Sequence, residues 1–196
     1  MEAALLLPIL ITMMLGIVEM SLYMRDIVSV SSAVRVGSRI ASVSAGAGPG
    51  TCVASVNPPP CTPASAPAFA QAAANAIQRA GSAMPQTQIN SLTIYDANAK
   101  GYPQPANNTA LTCSYNCVVY VWDTGLGAFR YASGSWNSTS VNACVNDPNE
   151  TAIGIAMTAT HPWITGFFKN SVTINERSVM QFEPLPSAGC LPGAHL

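Results

Sequence analysis

Charge is scarce in this chain. Only 9% of its 196 residues are Asp, Glu, Lys or Arg, and 8 basic against 9 acidic side chains leave a net charge of -1. There is no basic stripe to neutralise phosphates, so nucleic acid is excluded as a partner and an anionic surface gains no electrostatic hold. Histidine is nearly missing: only His161 and His195 occur, far apart in sequence. His161 precedes Pro162 and Trp163 at an expected strand end and reads as a packed or exposed side chain rather than a base, and His195 sits in the terminal tail. A nucleophile elbow, a paired-acid motif and a phosphate loop are all lacking. Asp123, Asp147 and Glu150 are isolated and read as solvated loop acids. These shortages point away from an enzyme, and no cofactor is expected.

What the chain has instead is one long oily run, EAALLLPILITMMLGIVEM at residues 2–20. From Ala3 to Met24 the only charge is Glu19. About 22 residues at 1.5 Å each reach roughly 33 Å, the hydrocarbon thickness of a bilayer, so a single crossing fits. A cleaved secretory signal fits less well, because no basic region precedes the run and the small-residue stretch SAGAGPG comes far beyond it.

The helix should continue past the membrane. Ile27, Val30, Val34, Gly37 and Ala41 recur at three- and four-residue spacing, with Arg25, Ser29, Ser32, Arg35 and Arg39 on another face. Nothing interrupts this pattern before AGAGPG at residues 45–50. The expectation is one stalk helix of about 40 residues, roughly 60 Å long, oily all round in its first half and amphipathic in its second.

Four residues do not suit a plain anchor: Glu2, Glu19, Pro8 and Gly16. A carboxylate facing hydrocarbon is costly and is normally paired or functional. When many copies pack with an axial offset, Glu2 of one copy can neutralise the α-amino group of another, and every wrong register leaves that charge alone. Pro8 removes a backbone donor and Gly16 weakens the helix, so both permit local bending, and Gly16 also admits a close neighbour.

Glu2, Ala4, Leu5, Leu7, Pro8, Gly16 and Glu19 together resemble the N-terminal signature of TadE-like pseudopilins, pilin-related proteins of the tight-adherence (Flp) pilus. The segment with Arg35, Val36, Gly37 and Arg39 is similar to that family's post-membrane helix, and residues 159–184 are similar to its C-terminal end. The resemblance implies a precursor in the cytoplasmic (inner) membrane with an exported head, trimmed by a prepilin-type peptidase and delivered by an assembly platform into a surface filament. Its partners would then be copies of itself or other pilins. The family's acid stands five residues into the mature chain behind a basic leader, whereas here Glu2 follows Met1.

We divide the chain into a helix at 1–45 and an exported head at 46–196. Within the head, residues 65–81 read as a short helix, with Pro67 in its first turn, Gly81 at its stop and Phe69, Ala73, Ala76, Ile77 and Ala80 buried against a sheet. Residues 91–97, 117–123, 127–133, 152–160 and 171–183 carry strand character, and DTGLG at 123–127 reads as a hairpin turn. The fold class is α+β: a long N-terminal helix, a mainly antiparallel sheet and one short packed helix.

Cys52, Cys61, Cys113, Cys117, Cys144 and Cys190 form an even set in an exported body, which calls for disulfides. Cys52 with Cys61 is the first pairing, because only a short loop closes. Cys113 and Cys117 cannot bridge along an extended strand, so they pair through a tight SYN turn or with Cys144 and Cys190. Zinc is disfavoured because CSYNC has no second nearby pair. Asn107, Asn137 and Asn149 head formal glycan sequons in loops expected to be exposed. Tyr120 and Trp122 are assigned to opposite sheet faces, one of them in the core, which favours packing over a sugar platform. The functional expectation is a pilin or pseudopilin subunit, repeating or at a tip. The alternative is a membrane-anchored binding domain, adhesin or lectin-like, that never polymerises.

Overall fold

The computed structural model describes the backbone of residues 2–5 and all atoms of residues 6–50, 66–81, 84–165 and 170–194. Cys52, Cys61 and His195 lie outside the described residues, as does the side chain of Glu2. A single helix, α1, runs from Glu2 to Ser42 and carries Pro8 inside it. Helix α2 spans Ala68–Ala80, with Pro67 at its N-cap and Gly81, at φ 70°, at its C-cap, where glycine meets no steric cost. Five strands follow: β1 (Ile89–Ala97), β2 (Cys117–Asp123), β3 (Ala128–Ser135), β4 (Ala152–Pro162) and β5 (Ser171–Gln181). They form one sheet in the order β3-β2-β1-β4-β5, and every neighbouring pair is antiparallel.

This is the expected α+β architecture, with two corrections of packing. The short helix leans mainly on α1 and only marginally on the sheet, at β3. Small residues on both helices explain the preference: Ala33, Gly37 and Ala41 on α1 and Ala70, Ala73 and Ala74 on α2 are all buried, which lets the two axes come close. A Cβ at Gly37 would lie 2.6 Å from Ile77 Cδ1 and 3.1 Å from Ile155 Cδ1, so glycine is needed where α1, α2 and β4 meet. Ala80 shares the azimuth of Phe69 but is exposed, because it lies a turn beyond Ile77, the last buried residue of α2.

The second correction concerns Tyr120 and Trp122. Residues two apart on a strand share a face, and both side chains pack into the main core, Tyr120 fully buried and Trp122 half-buried edge-on to Phe129. That core also takes in Val30, Val34 and Ala41 of α1 and an edge-to-face group of Phe69, Trp136 and Phe182. The second half of the stalk is therefore a wall of the head. A smaller cluster on the opposite sheet face lays the Tyr95 ring over its cross-strand partner Gly154, where a Cβ would come within 2.2 Å of the ring.

Asn116 adopts φ 44° and turns the SYN segment tightly enough to bring the Cα atoms of Cys113 and Cys117 to 5.6 Å, and these two cysteines are bridged. Cys144 pairs with Cys190 and staples the C-terminal segment to the head. Asn107, Asn137 and Asn149 are all exposed.

Candidate functional site

From Leu6 to Val18, α1 has almost no cover from its own head. Leu6, Leu7, Ile9 and Leu10 point to successive sides of the helix and each keeps 57–59% of its surface exposed. The exposure continues to Val18, and the apolar stretch is long enough to cross a membrane, with a mean hydropathy of 1.9. Pro8 is exposed within it. A Cβ added at Gly16 would meet nothing within 4 Å, so this glycine has no packing reason inside its own chain.

Below this bare segment the chain closes a clasp on itself. Glu19 and Asp26 are seven residues apart, hence two turns apart on one helix face, and are 3% and 2% exposed. The connection between β4 and β5 reaches both. Thr165 donates its backbone N–H to Glu19 Oε1 at 2.9 Å and its hydroxyl to Oε2 at 2.6 Å. His161, at the end of β4, meets Asp26 Oδ2 through Nδ1 at 2.7 Å. An ionised carboxylate can only accept, so Nδ1 carries the proton in this contact. The other oxygen, Asp26 Oδ1, accepts from Nε and Nη2 of Arg25 at 3.2 and 3.1 Å.

Aromatic rings close the gap between the two carboxylates. Tyr23 lies 5.5 Å from both His161 and Trp163, and these two rings meet edge-on at 5.1 Å. Above the clasp an open groove of about 1000 Å³ runs between the Met13–Met24 face of α1 and Trp163 and Val172 of the hairpin. Of the residues singled out in the sequence, the structure thus brings Glu19 and Gly16 to the rim of one groove, while Pro8 stands apart on the bare helix. Among the described residues no group of three or more His, Cys, Asp or Glu converges as a metal site would require.

The bare segment, Gly16 and the first acid of the clasp all fall inside one recognisable stretch, because residues 1–39 match the family model for the TadE-like protein. The N-terminal helix is TadE-like. The match covers the apolar first half of α1 and most of its amphipathic second half, and it stops before the head. No curated protein and no solved structure matches the chain. The chain thus joins a TadE-like helix that contains a candidate membrane span to a disulfide-bonded α+β body.

Asp26 and Thr165 escaped the sequence reading. Asp26 had a legible signal, because it repeats the position of Glu19 two turns on and sits beside the buried stripe of Val30 and Val34. Thr165 had none, since only the hairpin geometry brings it to the helix.

Proposed function

We propose that this chain is a structural pilin-type subunit of a Tad pilus. It is held in the membrane by α1 until an assembly platform extracts it, and it then packs by that same helix into, or at the tip of, a surface filament for adhesion or secretion. The observation that carries this reading is the coincidence of the TadE-like match with the bare segment of α1, whose surface is left open to neighbouring helices. Gly16 supports it, because the space around it is empty in a single copy and can admit another helix. Pro8 supplies the local give that a curved helical core requires.

Within this reading Glu2 sets the stagger between copies by pairing with a neighbour's α-amino group. Both carboxylate oxygens of Glu19 are already engaged by Thr165 of its own chain, so its contribution to assembly is to hold the head at a fixed angle on the helix. A prepilin-type peptidase is the expected processing partner. Trp122, Trp136 and Trp163 are all engaged in ring contacts, so a binding domain of the lectin type would have to use other side chains.

The test is to shear cells expressing the wild-type chain or Glu2→Ala and to weigh the chain in the fibre fraction. Wild-type chain is expected in sheared fibres. The variant should accumulate in the membrane, with its head folded, and the fibre-associated amount should fall at least about tenfold, the loss that about 1.4 kcal/mol of lost pairing represents. Normal fibre yield from Glu2→Ala would remove the stagger role, and absence of the wild-type chain from any fibre would remove the pilin reading.

A further inference from the structure

We infer that, while the chain is in the membrane, the first residues of the β4–β5 connection, Trp163 to Thr165, enter the lipid bilayer beside α1, and that the groove behind them is filled by phospholipid acyl chain. This rests on the reading of α1 as a membrane helix; the hairpin's part in it is new.

Depth carries the inference. The apolar run of α1 ends at Met24 and the first basic residue is Arg25, which together mark the level of the headgroups. Thr165 is bound to Glu19, five residues further in, so Thr165 lies about 7.5 Å below the end of the apolar run at 1.5 Å per residue. That is the depth at which interfacial elements bury themselves, roughly 5–10 Å. The side chains suit the place. Ile164 is 73% exposed, which is unfavourable in water and favourable in lipid. Tyr23 from the helix and Trp163 from the hairpin lie at one level, 5.5 Å apart, as a small aromatic girdle just inside Arg25.

The same geometry fixes the occupant of the groove. Its floor is the Met13, Ile17 and Met20 side of α1, continuous with the surface that faces the bilayer, so whatever surrounds the helix there also enters the groove. The hairpin then solves the problem of Glu19. A carboxylate inside an oily run needs donors, and the connection carries the N–H and O–H of Thr165 down to it.

Tryptophan fluorescence tests this with the full chain in phosphatidylcholine vesicles whose acyl chains carry bromine near the carbonyl end. Trp136 is fully buried and Trp122 half-buried in the head, so lipid-borne quenching reports Trp163. Emission of the wild-type chain should be partly quenched at high lipid-to-protein ratio, and Trp163→Phe should lose that quenched component while keeping its circular dichroism. The wild-type measurement stands by itself if the variant misfolds. Vesicle flotation separates the two readings. A chain that floats but is not quenched overturns the hairpin inference alone, and a chain that does not float overturns the membrane anchor with it. An unquenched chain whose hairpin cross-links to a second copy assigns the groove to that copy, which also overturns the inference.

Discussion

Asp26 is a carboxylate almost without contact with water, and it persists because three donors converge on it: Nδ1 of His161 and two nitrogens of Arg25. Removing one partner strands part of a buried charge, which costs more than the contact itself contributes. His161→Ala should therefore destabilise the folded chain in detergent by about 2–3 kcal/mol, less than full loss of a buried pair because Arg25 remains. His161→Gln, which keeps a donor of similar reach, should recover part of the loss; thermal unfolding followed by near-ultraviolet circular dichroism reads both. Asp96, on β1, is the opposite case. Burial raises its carboxyl above the ordinary aspartate value, against weaker opposing hydrogen bonds from the side chains of Asn116 and Gln104. A raised value means that the folded state holds the proton more tightly than the unfolded one, so stability is lost as pH rises through the folded value. Asp96→Asn should consequently be more stable than wild type at neutral pH, and the difference should shrink to nothing once the pH is below the unfolded aspartate value. Denaturant titrations across pH 3–7, a range that brackets the ordinary value of about 3.9, measure it.

At the scale of elements, α1 does two different jobs along one rod. Its second half is amphipathic because it is a wall of the head, and from Leu6 to Val18 it is oily on every side because the head leaves that stretch almost uncovered. The hairpin clasp at Glu19 and Asp26 marks the boundary between the two jobs. The joint where α1, α2 and β4 meet has no spare volume, as the 2.6 Å approach at Gly37 shows. Gly37→Val should push α2 off the stalk and cost about 1–3 kcal/mol, the usual penalty for overpacking, partly relieved by rotation of the Ile77 side chain. The readout is a lowered denaturation midpoint with faster proteolysis near α2.

At the scale of the whole molecule, Gly16 is the counterpart of Gly37, a glycine with nothing around it in one copy. Gly16→Val should leave the unfolding midpoint of the isolated chain within about 0.5 kcal/mol of wild type, the range of substitutions that touch nothing. It should nonetheless reduce the yield of sheared fibres, since the added methyl groups hold neighbouring helices apart. An unchanged fibre yield would show that no helix packs closely there. The periodicities of 3.6 and 2 residues are local properties, so the sequence by itself determined the long helix of about 40 residues, the short helix expected at 65–81 and all five strands, with strand ends displaced by at most two residues and helix ends by at most three. The turn chemistry of DTGLG and the tight SYN corner are local as well. Long-range contacts were not legible. Only the tertiary structure decided that α2 leans on α1, that Cys144 finds Cys190, and that Thr165 and His161 return to the helix at Glu19 and Asp26. Each of these depends on where the sheet carries a side chain more than a dozen residues away, and no local pattern encodes that distance.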